Sequence, residues 1–401
     1  MGLTSNNVLF LAVLSAVLLF VGTVWLWPGL ARRGWRAVGG RVAALLATQI
    51  ALFACVGLVA NQAFGFYASW ADLLGRETGQ GVVVDHDGAG TGGGPLRVVG
   101  TRPVDVTGGE RPQVGGQIQK VEIAGRTTRI ATPAYVYLPP EYFQARYRTR
   151  TFPAVVVLTG YPGTAEALVK GLHYPRTAHG LAREGAAQPM ILVMLRPTVA
   201  PPRDTECVDV PGGPPAESFF ARDLPDAVGH HYRVGRKPGS WGIVGDSTGG
   251  YCALKLAMHH PRVYAAGAGL SPYYAAPHDP TTGDLFHGDK TLRNEADLFW
   301  YLRHRPAPDT SLLVTSSKQG ETDFRTTSEF IELAEKKRPT RISSIILDSG
   351  GHNFNTWRRE RRQFDGIHRP EGSVRCGQDV CGFNEVDPTE ELPVDALVHR
   401  R

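Results

Sequence analysis

No C-x2-C pair occurs among the five cysteines of this 401-residue chain, which argues against a zinc finger or ribbon and leaves no metal site to expect. Cys55 lies inside an apolar run and reads as a small apolar residue. The other four, Cys207, Cys252, Cys376 and Cys381, form an even set with three possible pairings, as suits an oxidising compartment. Cys376 and Cys381 can close a small loop, which would leave Cys207 to meet Cys252; a buried free Cys252 is the competing account. Clusters of basic residues interleaved with aromatics are also missing, so the formal net charge of +5 is no argument for nucleic acid. No internal repeat is visible, which excludes a solenoid. Met1 to Asn7 carries no positively charged side chain, unlike the leading segment of a signal peptide.

What the chain does have, near its start, is two long uncharged apolar runs. Val8 to Trp27 is about long enough to cross a bilayer, and so is Val42 to Val59, extendable to Phe66. Trp25 and Trp27 close the first, and Phe66, Tyr67 and Trp70 follow the second, as interfacial aromatics do. Residues 1–70 therefore read as an anchor of two transmembrane helices, at about 8–27 and 42–66, with the lipid bilayer as partner. Arg32, Arg33, Arg36 and Arg41 all fall in the short connection, which puts that hairpin in the cytoplasm and both termini outside. Residues 71–116 are Gly-rich around Gly92-Gly93-Gly94-Pro95 and read as a flexible linker, with only weak strand character at Val82-Val83-Val84 and Leu96 to Val99. A catalytic domain is expected over 117–365, and a polar tail over 366–401.

The chemistry centres on Gly245-Asp246-Ser247-Thr248-Gly249-Gly250. An apolar run of strand type, Trp241 to Val244, precedes it, and helix formers from Tyr251 to Ala257 follow. A G-x-S-x-G that joins a strand to a helix is a nucleophile elbow, and it makes Ser247 the candidate nucleophile. The turn is tight, so bulk at Gly245 or Gly249 would collide with strand or helix. A trypsin-like G-D-S-G-G is excluded, because Thr248 interrupts it and helical segments alternate with strands here.

This fold demands an acid and then a histidine downstream of the serine. Ser311 to Ser316 reads as a buried strand, followed by a loop with Glu321 and Asp323. A helix-like segment (about Thr326 to Lys337) leads to a second strand, Arg341 to Leu347, and then to Ser349-Gly350-Gly351-His352. Such loops converge at the carboxyl edge of a parallel sheet. His352 is the expected general base, and Asp323 is preferred to Glu321 as the acid that orients it. For Glu321 a solvated loop charge is the plainer account. The oxyanion donors expected are the N–H groups of Thr248, after the nucleophile, and of Tyr161 in Thr159-Gly160-Tyr161-Pro162-Gly163, after the apolar strand Phe152 to Leu158. The pairs His230/His231 and His259/His260 are expected on solvated helix surfaces.

Taken together, these segments resemble the Putative esterase group of α/β-hydrolases, which includes esterase D (S-formylglutathione hydrolase), feruloyl esterases and mycolyltransferases. Ala134-Tyr135-Val136-Tyr137-Leu138-Pro139-Pro140 looks like the group's second strand, and Leu158-Thr159-Gly160-Tyr161 like its oxyanion turn. Arg222-Asp223-Leu224-Pro225 resembles the start of the helix before the elbow. Gly350-Gly351-His352-Asn353-Phe354-Asn355-Thr356-Trp357 is similar to its G-G-H-D-x-x-x-W segment. The resemblance runs from about Arg129 to Arg359, over half the chain. It implies a doubly wound α/β-hydrolase domain with a mostly parallel sheet and a Ser-His-Asp triad that needs no cofactor. Aligned on Gly320, Asp323 takes the esterases' aspartate position; in mycolyltransferases a glutamate plays this part, which keeps Glu321 as the alternative. Asp246 and Thr248 depart from the usual Leu-Ser-Met elbow, and no trehalose-lipid segments match.

The expected activity is hydrolysis of an ester by an extracytoplasmic, membrane-anchored serine esterase. The alternative is acyl transfer to a cell-envelope sugar or lipid, and a non-catalytic envelope binding protein is a distant third. The stretch from Leu270 to Tyr301, with Tyr273, Tyr274, Phe286 and Trp300, falls where this fold inserts a cap that can line an acyl pocket.

Overall fold

A computed structural model describes residues 6–31, 34–64, 94–201, 203–321 and 323–366. The chain divides into two compact units, Met1–Thr78 and Gly79–Arg401.

The first unit is a helical hairpin of α1 (Asn6–Leu30) and α2 (Trp35–Phe64). Twenty-five residues of helix span about 37 Å at the usual rise. Both helices are long and apolar enough to cross a membrane. Their large side chains are not packed away: Trp25 is 80% and Phe53 77% exposed, unlike those of a core helix. A polar contact, Thr23 Oγ1 to Thr48 Oγ1 at 3.0 Å, joins the pair.

The second unit is built on nine strands: β1 (Leu96–Pro103), β2 (Gln117–Ala124), β3 (Ala131–Leu138), β4 (Ala154–Leu158), β5 (Ile191–Leu195), β6 (Trp241–Asp246), β7 (Ala266–Leu270), β8 (Ser311–Ser317) and β9 (Arg341–Leu347). They lie in the order β1-β2-β3-β5-β4-β6-β7-β8-β9. The first three and the β3–β5 junction are antiparallel; all pairings from β5 through β4 to β9 are parallel. Continuous apolar strands such as Ala154-Val155-Val156-Val157-Leu158 form because helices cover both faces. On one face Val156, Leu158, Ile191 and Val193 pack against α5 (Leu224–His231), α6 (Thr248–His259), α7 (Leu298–His304) and α8 (Phe324–Glu335). The alternate residues Val155, Val157, Leu192 and Met194 face α3 (Ala165–Lys170), α4 (Tyr174–Arg183) and α9 (Phe354–Gly366).

The stretch expected to be linker is corrected in its second half. Leu96–Pro103 pairs along β2, with an irregularity between Val98 and Gly100, and Leu96 and Val104 are buried. An edge strand is held by backbone hydrogen bonds and needs few apolar side chains, so a Gly-rich composition does not exclude it. Phe66, Tyr67, Trp70, Val82 to Val84, Cys376, Cys381 and the tail beyond 366 lie outside the described residues.

Candidate active site

The elbow runs from β6 into α6, with Ser247 between them at φ 53° and ψ −119°. A non-glycine residue holds such a conformation only when its surroundings enforce it. Here the Ser247 N–H donates to Leu270 O on the next strand (3.0 Å), and its carbonyl accepts from Tyr251 N (2.9 Å). A Cβ at Gly245 would run into the Gly249 backbone, and one at Gly249 into Leu158. Both glycines are therefore fixed by close approach.

Ser247 Oγ lies 2.8 Å from His352 Nε2, and His352 Nδ1 lies 3.3 Å from Glu321 Oε2. The loops carrying them are clasped together: Gly350 N donates to Gln319 O, and Gly320 turns at φ +93° where a Cβ would strike Gly350. Trp357 stands edge-on to the imidazole at 5.2 Å. The His352 side chain is 45% exposed, whereas the Glu321 side chain is 3% exposed. Burial opposes the imidazolium. The Glu321 hydrogen bond and charge outweigh it, with Asp246 and Asp323 adding to them, and hold the His352 pKa above its usual value.

The preference for Asp323 is corrected here. Asp323 is exposed and stands at the mouth of α8, while Glu321 is the carboxylate against the imidazole. By position 323 the chain has turned into the helix. Two residues earlier it still runs in the loop after β8, and the longer glutamate side chain reaches His352.

Three further acidic groups surround the site, and their roles were not legible in the sequence. Asp246, before the nucleophile, is fully buried, and its Oδ2 accepts the Gly160 N–H at 2.9 Å. Burial pushes its pKa up to about 7, against the Gly160 hydrogen bond and the His352 charge. Glu360 on α9 is fully buried, and burial pushes its pKa up to about 7 as well, with Glu321 adding to the rise. Glu206 is 1% exposed, and burial, followed by the Asp204 charge, raises its pKa to about 8. A carboxylate buried beside a serine is a departure from the family elbow, and that departure is the one signal that could have pointed to Asp246.

Thr248 begins α6, so its N–H lies in the first helical turn, where no intrahelical acceptor exists. The turn after β4 holds Tyr161, half-buried, and is closed by Gly163 N donating to Gly160 O (2.8 Å). Cys207 and Cys252 form a disulfide between the 196–215 loop and the elbow helix. Tyr273 stacks on Tyr251, Tyr274 on Phe330 and Trp300 on His304, while Phe286 is buried beside Val208 and Leu285. The rings of these aromatics are thus taken up in packing. The surface expectation for His259 and His260 is corrected too: their ring nitrogens lie 2.9 and 2.8 Å from Glu217 Oε1, whose partner oxygen meets buried Lys255 at 2.8 Å. Among the described residues no group of three His, Cys, Asp or Glu side chains is placed to hold a metal.

Residues 127–369 match the family described as "Putative esterase". A protein of Corynebacterium glutamicum that is itself uncharacterised is 26% identical over 262 residues, 61% of this chain; the match spans 60% of that relative. Among solved structures, a ferulic acid esterase superposes with a TM-score of 0.52 at 17% identity, covering 61% of this chain and 95% of its own. An S-formylglutathione hydrolase from Agrobacterium tumefaciens gives 0.51 at 16% identity, covering 68% and 97%. At these identities the likeness is one of fold.

Proposed function

Since the chain belongs to the Putative esterase family of α/β-hydrolases, we infer that it hydrolyses carboxylic esters through an acyl-enzyme on Ser247. The observation that carries this reading is the 2.8 Å approach of Ser247 Oγ to His352 Nε2 with Glu321 on the other ring nitrogen. A serine hydroxyl is a weak nucleophile until a base removes its proton. His352 takes that proton as Oγ attacks the ester carbonyl, and Glu321 steadies the imidazolium that results. The Thr248 and Tyr161 N–H groups hold the developing oxyanion. The intermediate collapses, the C–O bond to the leaving alcohol breaks, and His352 returns the proton to that alcohol. Water then repeats the sequence on the acyl-enzyme, releasing the acid.

Labelling by a fluorophosphonate probe tests this directly. Wild type labels, and Ser247→Ala and His352→Ala do not. Undiminished labelling of Ser247→Ala sinks the mechanism.

A second reading, transfer of the acyl group to a cell-envelope hydroxyl, draws support from the acid. The carboxylate against His352 is a glutamate, as in mycolyltransferases, and not the aspartate of the esterases. Product analysis with and without sugar or lipid acceptors separates the two: transfer gives a new ester, and hydrolysis gives free acid alone.

The same reading gives α1 and α2 the task of anchoring the enzyme in the membrane with the hydrolase domain outside. Four arginines in or beside their connection favour a cytoplasmic hairpin. A reporter active only outside the membrane, fused after residue 366, should be active; inactivity there overturns the orientation.

A further inference from the structure

Behind Thr248 stand two polar side chains, Tyr273 and Glu206, that the triad does not use. The Tyr273 hydroxyl lies 2.6 and 2.7 Å from the two carboxyl oxygens of Glu206 and 3.0 Å from Thr248 Oγ1. Tyr273 is held by stacking on Tyr251 of the elbow helix, centroids 5.1 Å apart. Glu206 is held at some cost, since it and Cys207 both have left-handed backbones, at φ 49° and 51°. Strained residues persist only where neighbours brace them. The Cys207–Cys252 disulfide ties this pair to α6. Lys255 Nζ, itself on α6 and 1% exposed, donates to Cys207 O. Glu206 N donates to Asp204 Oδ1 at 3.2 Å. The Tyr251 stack, the disulfide and the Lys255 hydrogen bond therefore fasten the segment that bears this buried carboxyl, and its tyrosine partner, to the helix that begins at Thr248.

The geometry points to Glu206 and Tyr273 as positioning residues of the oxyanion pocket: Glu206, acting through the Tyr273 hydroxyl, sets how Thr248 is hydrogen-bonded, and only its neutral form serves turnover. Tyr273 has a single proton to give. With Glu206 ionised, that proton goes to the carboxylate, and the Thr248 hydroxyl must point its own back at Tyr273. With Glu206 neutral, the carboxyl proton goes to Tyr273 and the tyrosine proton to Thr248 Oγ1, so the chain donates toward the pocket. The charge acts in the same sense. A carboxylate one hydroxyl away from Thr248 repels the negative oxygen that the Thr248 N–H must stabilise, and in a buried setting that repulsion is poorly screened.

The groups facing Glu206 decide which form is present. Asp204 and Asp279 disfavour its charge, Lys255 and the Tyr273 hydroxyl favour it, and Tyr251 packs beside it without a charge. Lys255 is largely spent on Glu217. Burial is the largest influence, and the balance raises the Glu206 pKa to about 8. The neutral form therefore prevails at pH 7 and is lost as pH rises through about 8.

This inference rests on Ser247 being the nucleophile, and the test separates the two. The full-length chain in detergent is assayed for kcat and KM on p-nitrophenyl butyrate across the range from acid to alkaline pH. Wild-type kcat is expected to fall about tenfold per pH unit above about 8. Glu206→Gln, which cannot ionise, should show no such fall. Tyr273→Phe should lower kcat about tenfold with KM within about twofold, the mark of an interaction used in the transition state. A merely structural glutamate would leave the alkaline limb in place. The inference is overturned if Glu206→Gln keeps the wild-type limb, or if Tyr273→Phe keeps the wild-type kcat; the phenylalanine variant removes one oxygen and leaves the stack intact. If fluorophosphonate labelling survives Ser247→Ala, the nucleophile assignment has failed instead.

Discussion

Asp246 Oδ2 accepts the Gly160 N–H at 2.9 Å across the β4–β6 boundary, so the residue before the nucleophile is tied to the turn that carries Tyr161. The buried bond thereby extends the β4–β6 pairing, which ends at Leu158 and Gly245, into the elbow and the turn after β4. Asp246→Ala leaves the Gly160 N–H without its acceptor, a loss of about 1–3 kcal/mol for a buried group. The turn should then wander, and kcat on a p-nitrophenyl ester should fall together with unfolding stability. Asp246→Asn keeps an acceptor oxygen and should lose much less of both. Equal losses in the two variants would show that the charge, and not the bond, is what counts.

Glu321→Gln should lower kcat about 10²–10⁴-fold, as neutralising a triad acid does, whereas Asp323→Asn should change it little. The acid limb of the pH profile carries an independent sign. Free His352 must be neutral to act as base, and Glu321 holds its pKa above the usual value. The wild-type limb should therefore lie above pH 6.5, the ordinary imidazole value. Removing the Glu321 charge should move the limb of kcat/KM toward lower pH, even as the plateau drops. A limb that moves in Asp323→Asn instead would restore the aspartate.

The pairing of Ser247 with His352 was legible in the sequence and the carboxylate beside them was not, and the reason is local. Ser247 and His352 sit where an apolar strand gives way to glycine, a pattern visible within ten residues. Choosing between Glu321 and Asp323 depends on which residue α8 starts at, and helix boundaries are the least defined part of a sequence pattern. The strand Leu96–Pro103 showed in the sequence only as weak strand character over Leu96 to Val99, because edge pairing is a property of backbone. Glu206 and Tyr273 are 67 residues apart, and no local pattern marks a contact at that separation.

Stability should decline from mildly acid to mildly alkaline pH. Burial raises four carboxyls above their ordinary values of 3.8 for Asp and 4.5 for Glu: Asp204 to about 6, Asp246 and Glu360 to about 7, and Glu206 to about 8. In the window between those ordinary values and the raised ones, the folded chain holds protons that the unfolded chain has released. Stability contributed by such groups is complete below the unfolded pKa and is lost as pH rises through the folded one. His352, also raised, acts in the same direction. Thermal unfolding should therefore give a Tm that falls between about pH 5 and about pH 8, and Glu206→Gln should flatten the upper part of that slope. A Tm that rises over this interval would mean the buried carboxyls are ionised in the native state.

The Cys207–Cys252 bond closes a loop of 45 residues, and a cross-link of that span stabilises by roughly 4 kcal/mol through the unfolded chain. Replacing both cysteines with serine should lower the denaturant midpoint accordingly, with the slope of the transition little changed. Both cysteines are fully buried, so a dithiol has no access to the sulfurs until the chain opens. Reductant added to the native enzyme should leave ester turnover intact. Added during unfolding, it should reproduce the serine variant's midpoint. Rapid loss of turnover on adding reductant at neutral pH, without unfolding, would show instead that the 196–215 loop opens on its own and exposes the bond.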